Sequence, residues 1–255
     1  MGVETWVQRL GRGACAGLAG GAASAIALWL AVEPHITKAI DLENAAAEGH
    51  SHGDEDELIS RTTQLVGGTV TAVVVGLLLG VVFAVVYARS QHRLAGHTDL
   101  GRSLSLGGLA FGVIAVLPAL KVPANPPAVG DPGTVNDRTL TYLAIILLGL
   151  VLVGVSFAAA QVARRRTERA EVRWAAGIGA AVTGGALLLY LAPSGTVDIP
   201  ATIPASLLWK FRIGSLAQHA AMWLGIAVAY GTLAHRRSLD QTSVARQQYQ
   251  AATLR

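Results

Sequence analysis

The sequence predicts an all-α polytopic membrane protein with about six transmembrane helices and both termini in the cytoplasm. Three observations carry that prediction. Apolar residues make up 52% of the 255-residue chain and charged residues only 14%, against roughly a quarter charged in an ordinary soluble domain. The apolar residues gather into six runs, most of them near the ~20 residues that a helix needs to cross a bilayer. Lys and Arg sit in the short segments between those runs, which is a topology signal rather than a nucleic-acid patch. The single cysteine, Cys15, excludes an intrachain disulfide and any Cys-rich zinc or iron–sulfur site. It lies among Ala and Gly, as a small packing residue would.

The first run covers residues 13–32, behind Arg9 and Arg12. It is longer than the ~7–15 residues of a signal-peptide core and lacks a clear small-x-small cleavage site, so it reads as a membrane helix. Gly13, Gly17 and Gly21 recur on it at every fourth position, as Gly76 and Gly80 do on the second run, 65–88. That spacing lets helix backbones approach closely. The third run, 104–120, is short and carries Pro118 near its end; the others cover 140–163, 174–192 and 213–234. Together they form one membrane-embedded domain over residues 1–237. The polar, Gln-rich stretch 238–255 is expected to be a cytoplasmic tail, either a mobile end or a short surface helix.

If all six runs span, fourteen Lys and Arg residues share one side and six the other, the six being Lys38, Arg61, Lys121, Arg138, Lys210 and Arg212. The positive-inside rule puts both ends in the cytoplasm and the first, third and fifth loops outside. Arg164, Arg165, Arg166, Arg169 and Arg173 are explained by the same rule, without a lipid or nucleic-acid patch.

The outer loops carry the chemistry. Between residues 33 and 57 lie eight carboxylates and three imidazoles, donors that suit divalent transition metals. Within the His/acidic loop 33–64, His50, His52, Asp54 and Asp56 offer two imidazoles and two carboxylates on a short segment that would bind an ion weakly and reversibly; a plain solvated charge run is the alternative. Glu33 and His35 form a sharper pair, because a carboxylate at membrane depth is costly. Pro34 between them is expected to break or re-aim the chain and turn both donors toward one mouth. The competing reading has Glu33 bonded to Lys38 or water. The proline-rich loop 121–138 holds Pro123, Pro126, Pro127 and Pro132, which favour a stiff, extended cover over a helix. Lys121, Asn125 and Arg212 are candidates for gating or positioning. Trp209 to Arg212 also suit an interfacial anchor. In the sixth run, His219 is either the next donor along an ion route or a hydrogen-bonding partner for a neighbouring helix.

No acidic residue lies mid-run, as coupled carriers often require, and no P-loop is present. A chain of this kind, if it transports, either conducts through a partner interface or is not the complete transporter. Nothing resembles a catalytic motif such as His-Glu-x-x-His or Gly-x-Ser-x-Gly, so an enzyme is not expected.

Three stretches together resemble the CbtA family, described as probable cobalt transporter subunits associated with cobalamin-related metal supply. They are Glu33-Pro34-His35-Ile36 with the His/acid loop after it, the proline loop from Lys121 to Pro132, and Leu207-Leu208-Trp209-Lys210-Phe211-Arg212. The similarity runs from the first apolar run to the sixth, and the proline loop is its most specific part. It implies cobalt uptake beside a very small His-bearing membrane partner, CbtB, and supplies no ligand residues. The expected function is an integral subunit of a Co2+ importer, with Ni2+ the nearest substitute. No cofactor is permanently bound and no nucleic acid is involved; the bilayer is a partner, and a homo-oligomer is compatible. A non-transporting anchor that docks a partner through its outer loops is the alternative.

Overall fold

The computed structural model describes residues 5–47, 60–127, 129–193 and 199–253, and among them there is no strand. Helix α1 (Trp6–Ala27) starts where the Thr5 side chain accepts from the Gln8 N–H. It runs through a π-helical stretch, Leu28–Val32, into α2 (Glu33–Ala47). After it come α3 (Arg61–Ser90) and α4 (Asp99–Phe111). A second π stretch, Gly112–Val116, leads into the short α5 (Leu117–Ala119). A 3-10 turn at Pro132–Thr134 opens α6 (Val135–Arg166), followed by α7 (Ala170–Leu191) and α8 (Ala205–Thr253).

Among the described residues, five stretches are long and apolar enough to cross a membrane: Trp6–Ala45, Arg61–Ser90, Asp99–Ala119, Pro132–Arg166 and Ala170–Leu191. Helix α8 contains the sixth apolar run. The protein is an all-α polytopic membrane protein. The short third run gains its length from Asp99 onward, ahead of its first apolar stretch. Helix α8 begins eight residues before Ile213 and continues as helix through the polar tail to Thr253.

The chain divides into two compact units. The first comprises Met1–Pro34, Gly49–Ala110 and Ile213–Arg255; the second comprises His35–Glu48 and Phe111–Arg212.

In the first unit the glycine periodicity does what its spacing predicts. A Cβ on Gly17 would lie 2.7 Å from the Leu77 Cα, and one on Gly76 would lie 2.5 Å from the Gly21 Cα. Helices α1 and α3 therefore touch backbone to backbone. Without water between lipid-embedded helices, such dispersion contacts replace the hydrophobic drive. Helix α8 meets α1 in the same way, with Gly225 against Gly20 and Gly214 against the Ala31 carbonyl. Helix α4 joins through Ser103, whose fully buried hydroxyl donates to the Ala227 carbonyl at 2.7 Å. Phe83 and Tyr87 of α3 pack edge-on against Tyr230, with ring centroids 5.5 and 5.1 Å apart.

In the second unit α6 and α7 pair as a hairpin joined by residues 167–169. Helix α7 buries no residue, as suits a helix whose apolar surface faces lipid. Where α4 passes into α5, Pro118 has no N–H to give, so the Ile114 carbonyl four residues earlier loses its usual donor. The Tyr142 hydroxyl of α6 supplies one at 3.1 Å. Tyr142→Phe should leave that carbonyl unpaired in a nonaqueous interior, at a cost of about 1 kcal/mol. Thermal unfolding in detergent checks this; an unchanged midpoint would mean that the carbonyl is satisfied without Tyr142.

The two π stretches share a sequence pattern that periodicity alone does not reveal. Ala31-Val32-Glu33-Pro34 and Ala115-Val116-Leu117-Pro118 close them at the same offset. In both, the residue before proline bonds its N–H five residues back, Glu33 to Leu28 and Leu117 to Gly112. This one-residue shift in the ladder lets the helix continue past a proline, and π bulges recur at functional sites.

Candidate metal entry site

Three stretches that are distant in sequence meet in one apolar cluster of the second unit. Ala39 of α2, Val129 of the proline loop, Ile203 before α8, and Leu207 and Leu208 at its start are all buried together, with Leu42 against them. His35 lies one turn before Ala39 on α2, and four-residue spacing puts both on one helix face. The His35 Nδ1 is buried without a hydrogen-bond partner. A buried ring nitrogen left open in this way is a donor position that an ion or a water can fill.

The proline loop is tied down from several sides. Arg212 donates from Nη2 to the Asn125 Oδ1 at 2.9 Å and from Nε to the Ala124 carbonyl at 3.3 Å. Burial lowers the pKa of this guanidinium from its ordinary value, and the two acceptors offset part of that desolvation. Lys121 donates to the Leu189 carbonyl at 3.0 Å, in the last turn of α7, where the helix dipole favours a cation. Gly130 has φ +109°, and a Cβ there would lie 2.8 Å from the Arg138 Nη1. The backbone angle favours glycine, and the Arg138 guanidinium uses the space that the missing side chain leaves. The Asp131 side chain accepts from the Gly133 N–H at 2.7 Å and starts the turn into α6. The described residues from Lys121 to Asp131 contain no helix, as the prolines predict. Asn125 and Arg212, separated by 87 residues in sequence, are thus brought together.

Pro34 does not break the chain. It is the second residue of α2, and the π stretch just before it shifts the backbone ladder by one residue, which lets the helix pass a residue without an N–H. Glu33 and His35, two residues apart on a continuous helix, therefore leave it about 200° apart. The Glu33 carboxylate accepts from Arg61 in the first turn of α3. That partner is neither the Lys38 nor the water that local spacing suggests. The two side chains are 19% and 33% exposed. Arg61 also donates to the Gln64 Oε1 at 3.0 Å, and Ser60 caps the helix by accepting from the Thr63 N–H.

The His219 Nδ1 lies 2.7 Å from the Ser215 carbonyl. A carbonyl only accepts, so Nδ1 carries the hydrogen, and in the neutral ring Nε2 keeps its lone pair. Metal-binding imidazoles are commonly oriented by a bond of this kind. His50, His52, Asp54 and Asp56 lie outside the described residues. Among the described residues no three His, Cys, Asp or Glu side chains gather closely enough to hold a metal.

Two residues of this region escape sequence reasoning. Arg61 and Arg138 count there only as topological charges, although Arg61 pairs with Glu33 and Arg138 fills the slot at Gly130.

No curated protein and no solved structure matches the chain. The CbtA family model, described as a probable cobalt transporter subunit, matches residues 7–235. With the proline loop, the Glu33–Pro34–His35 turn and the start of α8 all inside that match, the chain belongs to the CbtA family of probable cobalt transporter subunits.

Proposed function

We propose that the protein is the membrane-embedded entry subunit of a cobalt(II) importer, with nickel(II) the nearest substitute. The His/acidic loop and the proline loop face outward, from a bacterial plasma membrane. His50, His52, Asp54 and Asp56 capture the hydrated ion, and Glu33 and His35, which leave α2 on different faces, act as two separate donors rather than one shared site. His219, its Nε2 open, is the next donor along α8, and Lys121, Asn125 and Arg212 hold the proline loop in place. Imidazole nitrogen and carboxylate oxygen are suitable donors for cobalt(II) and nickel(II). The observation that carries this reading is the apolar cluster that joins α2, the proline loop and the start of α8, with the unpartnered His35 Nδ1 one turn away. Delivery onward involves a small His-bearing membrane subunit of the CbtB kind, and assembly of several copies fits the same scheme.

The E33A/H35A variant tests the central step. Cobalt uptake by cells dependent on this protein should fall by about tenfold or more, the usual scale for weakening a metal site, while membrane insertion stays normal. Unchanged uptake would remove both residues from the mechanism.

A further inference from the structure

We propose that Arg61 is a tethered counter-ion, which occupies the Glu33 carboxylate until a divalent cation displaces it. The inference rests on Glu33 as an ion donor, as proposed above, and adds the residue that sets how firmly Glu33 holds the ion.

The chemistry of the pair supports exchange. A guanidinium has five donors and no acceptor, so it cannot ligate a metal. A cation that takes both carboxylate oxygens must displace Arg61 from the one it now holds, Oε1. A divalent cation and the guanidinium are both drawn to Glu33 by charge, so an arriving cation can relieve Glu33 of Arg61. Exposure makes the exchange feasible. Arg61, at 33% exposed, can swing toward water without becoming a buried unpaired charge, the outcome that makes breaking a deeply buried pair so costly. Its other terminal nitrogen is already held by Gln64 at 3.0 Å, so the displaced side chain keeps an anchor.

A comparison inside the chain argues against a merely structural role. The second π stretch ends in the same Ala-Val-x-Pro pattern and makes the same five-residue bond, yet carries Leu117 at the place of Glu33. The turn therefore forms without a carboxylate. In that second copy Tyr142 closes the carbonyl left open by the proline. In the first copy Pro34 likewise withholds a donor from the backbone of the preceding turn. Glu33 and its arginine are additions to a turn that does not need them.

The experiment measures cobalt(II) uptake against concentration in cells carrying the full chain with R61Q, R61K, E33Q or E33Q/R61Q. Removing the competitor should lower the half-saturating concentration in R61Q by about fivefold, the scale of a partly exposed ion pair. The maximal rate should fall as well, because the ion is no longer displaced on release. R61K keeps a cation and should restore wild-type half-saturation. E33Q should raise half-saturation, and E33Q/R61Q should match E33Q, since nothing remains to compete for. Half-saturation does not depend on how much protein reaches the membrane, so a poorly inserted variant still reports. An unchanged half-saturation in R61Q overturns the proposal, as does a shift that persists without Glu33 or an R61K that behaves like R61Q. A silent E33Q strikes instead at Glu33 as a donor, which separates failure of the functional reading from failure of the counter-ion.

Discussion

Gly17→Val should abolish the folded, membrane-inserted protein. A Cβ at this position would meet the Gly76 carbonyl, the Leu77 Cα at 2.7 Å and the Leu77 carbonyl at 2.9 Å. All three are backbone atoms, so no side chain can rotate aside and the helices must separate. The penalty should exceed the ~1–3 kcal/mol typical of overpacked cores, where neighbouring side chains share the strain. Gly21, Gly76 and Gly80 lie in the same seam, so parting α1 from α3 at one point loosens contacts along its length. Gly11→Val is the control, because nothing lies within 4 Å of a Cβ there. The yield of monodisperse protein and its thermal midpoint in detergent read the result. A Gly17→Val protein with the stability of Gly11→Val would show that the two backbones do not meet as closely as described.

The second large effect is expected at Arg212. Arg212→Ala deletes the bonds to Asn125 and to the Ala124 carbonyl. Each hydrogen bond from a charged donor contributes about 1.5–3 kcal/mol, enough to keep this stretch of loop in place. Asn125 would then lose the acceptor bond at Oδ1 while its Nδ2 remains buried and unpartnered, which leaves the whole amide unsatisfied. Cobalt uptake should fall by about tenfold, the factor that corresponds to 1.4 kcal/mol of lost positioning, with insertion intact and the proline loop more readily cut by protease. Arg212→Lys should rescue poorly, since an ammonium cannot reproduce the two-pronged geometry of a guanidinium. Full uptake by Arg212→Ala would show that the loop needs no clamp.

The hydrophobic runs made the helices legible because length and polarity are local properties. Gly13, Gly17 and Gly21 announced a close contact, although nothing in their spacing named Gly76 and Gly80 as the facing residues. The prolines of the third loop announced an irregular segment, and it is one. Pro34 was misleading by the same reasoning. A proline after an apolar run reads as a break, but a π stretch absorbs it and the helix continues. The consequence reaches the candidate site, because an unbroken helix sends Glu33 and His35 to different faces.

By itself the sequence determined that this is a helical membrane protein, where its apolar spans fall, and where along the chain imidazole and carboxylate are concentrated; the expected loop is helix from Glu33 to Ala47. It could do so because hydrocarbon admits only segments that satisfy their own backbone, which writes the answer into each stretch separately. Only the tertiary structure decided which polar groups are already taken. Glu33 belongs to Arg61 across 28 residues, Asn125 to Arg212 across 87, and His35 keeps an open nitrogen. Pairing of this kind depends on which helices touch and in what register, and no local run of residues encodes that.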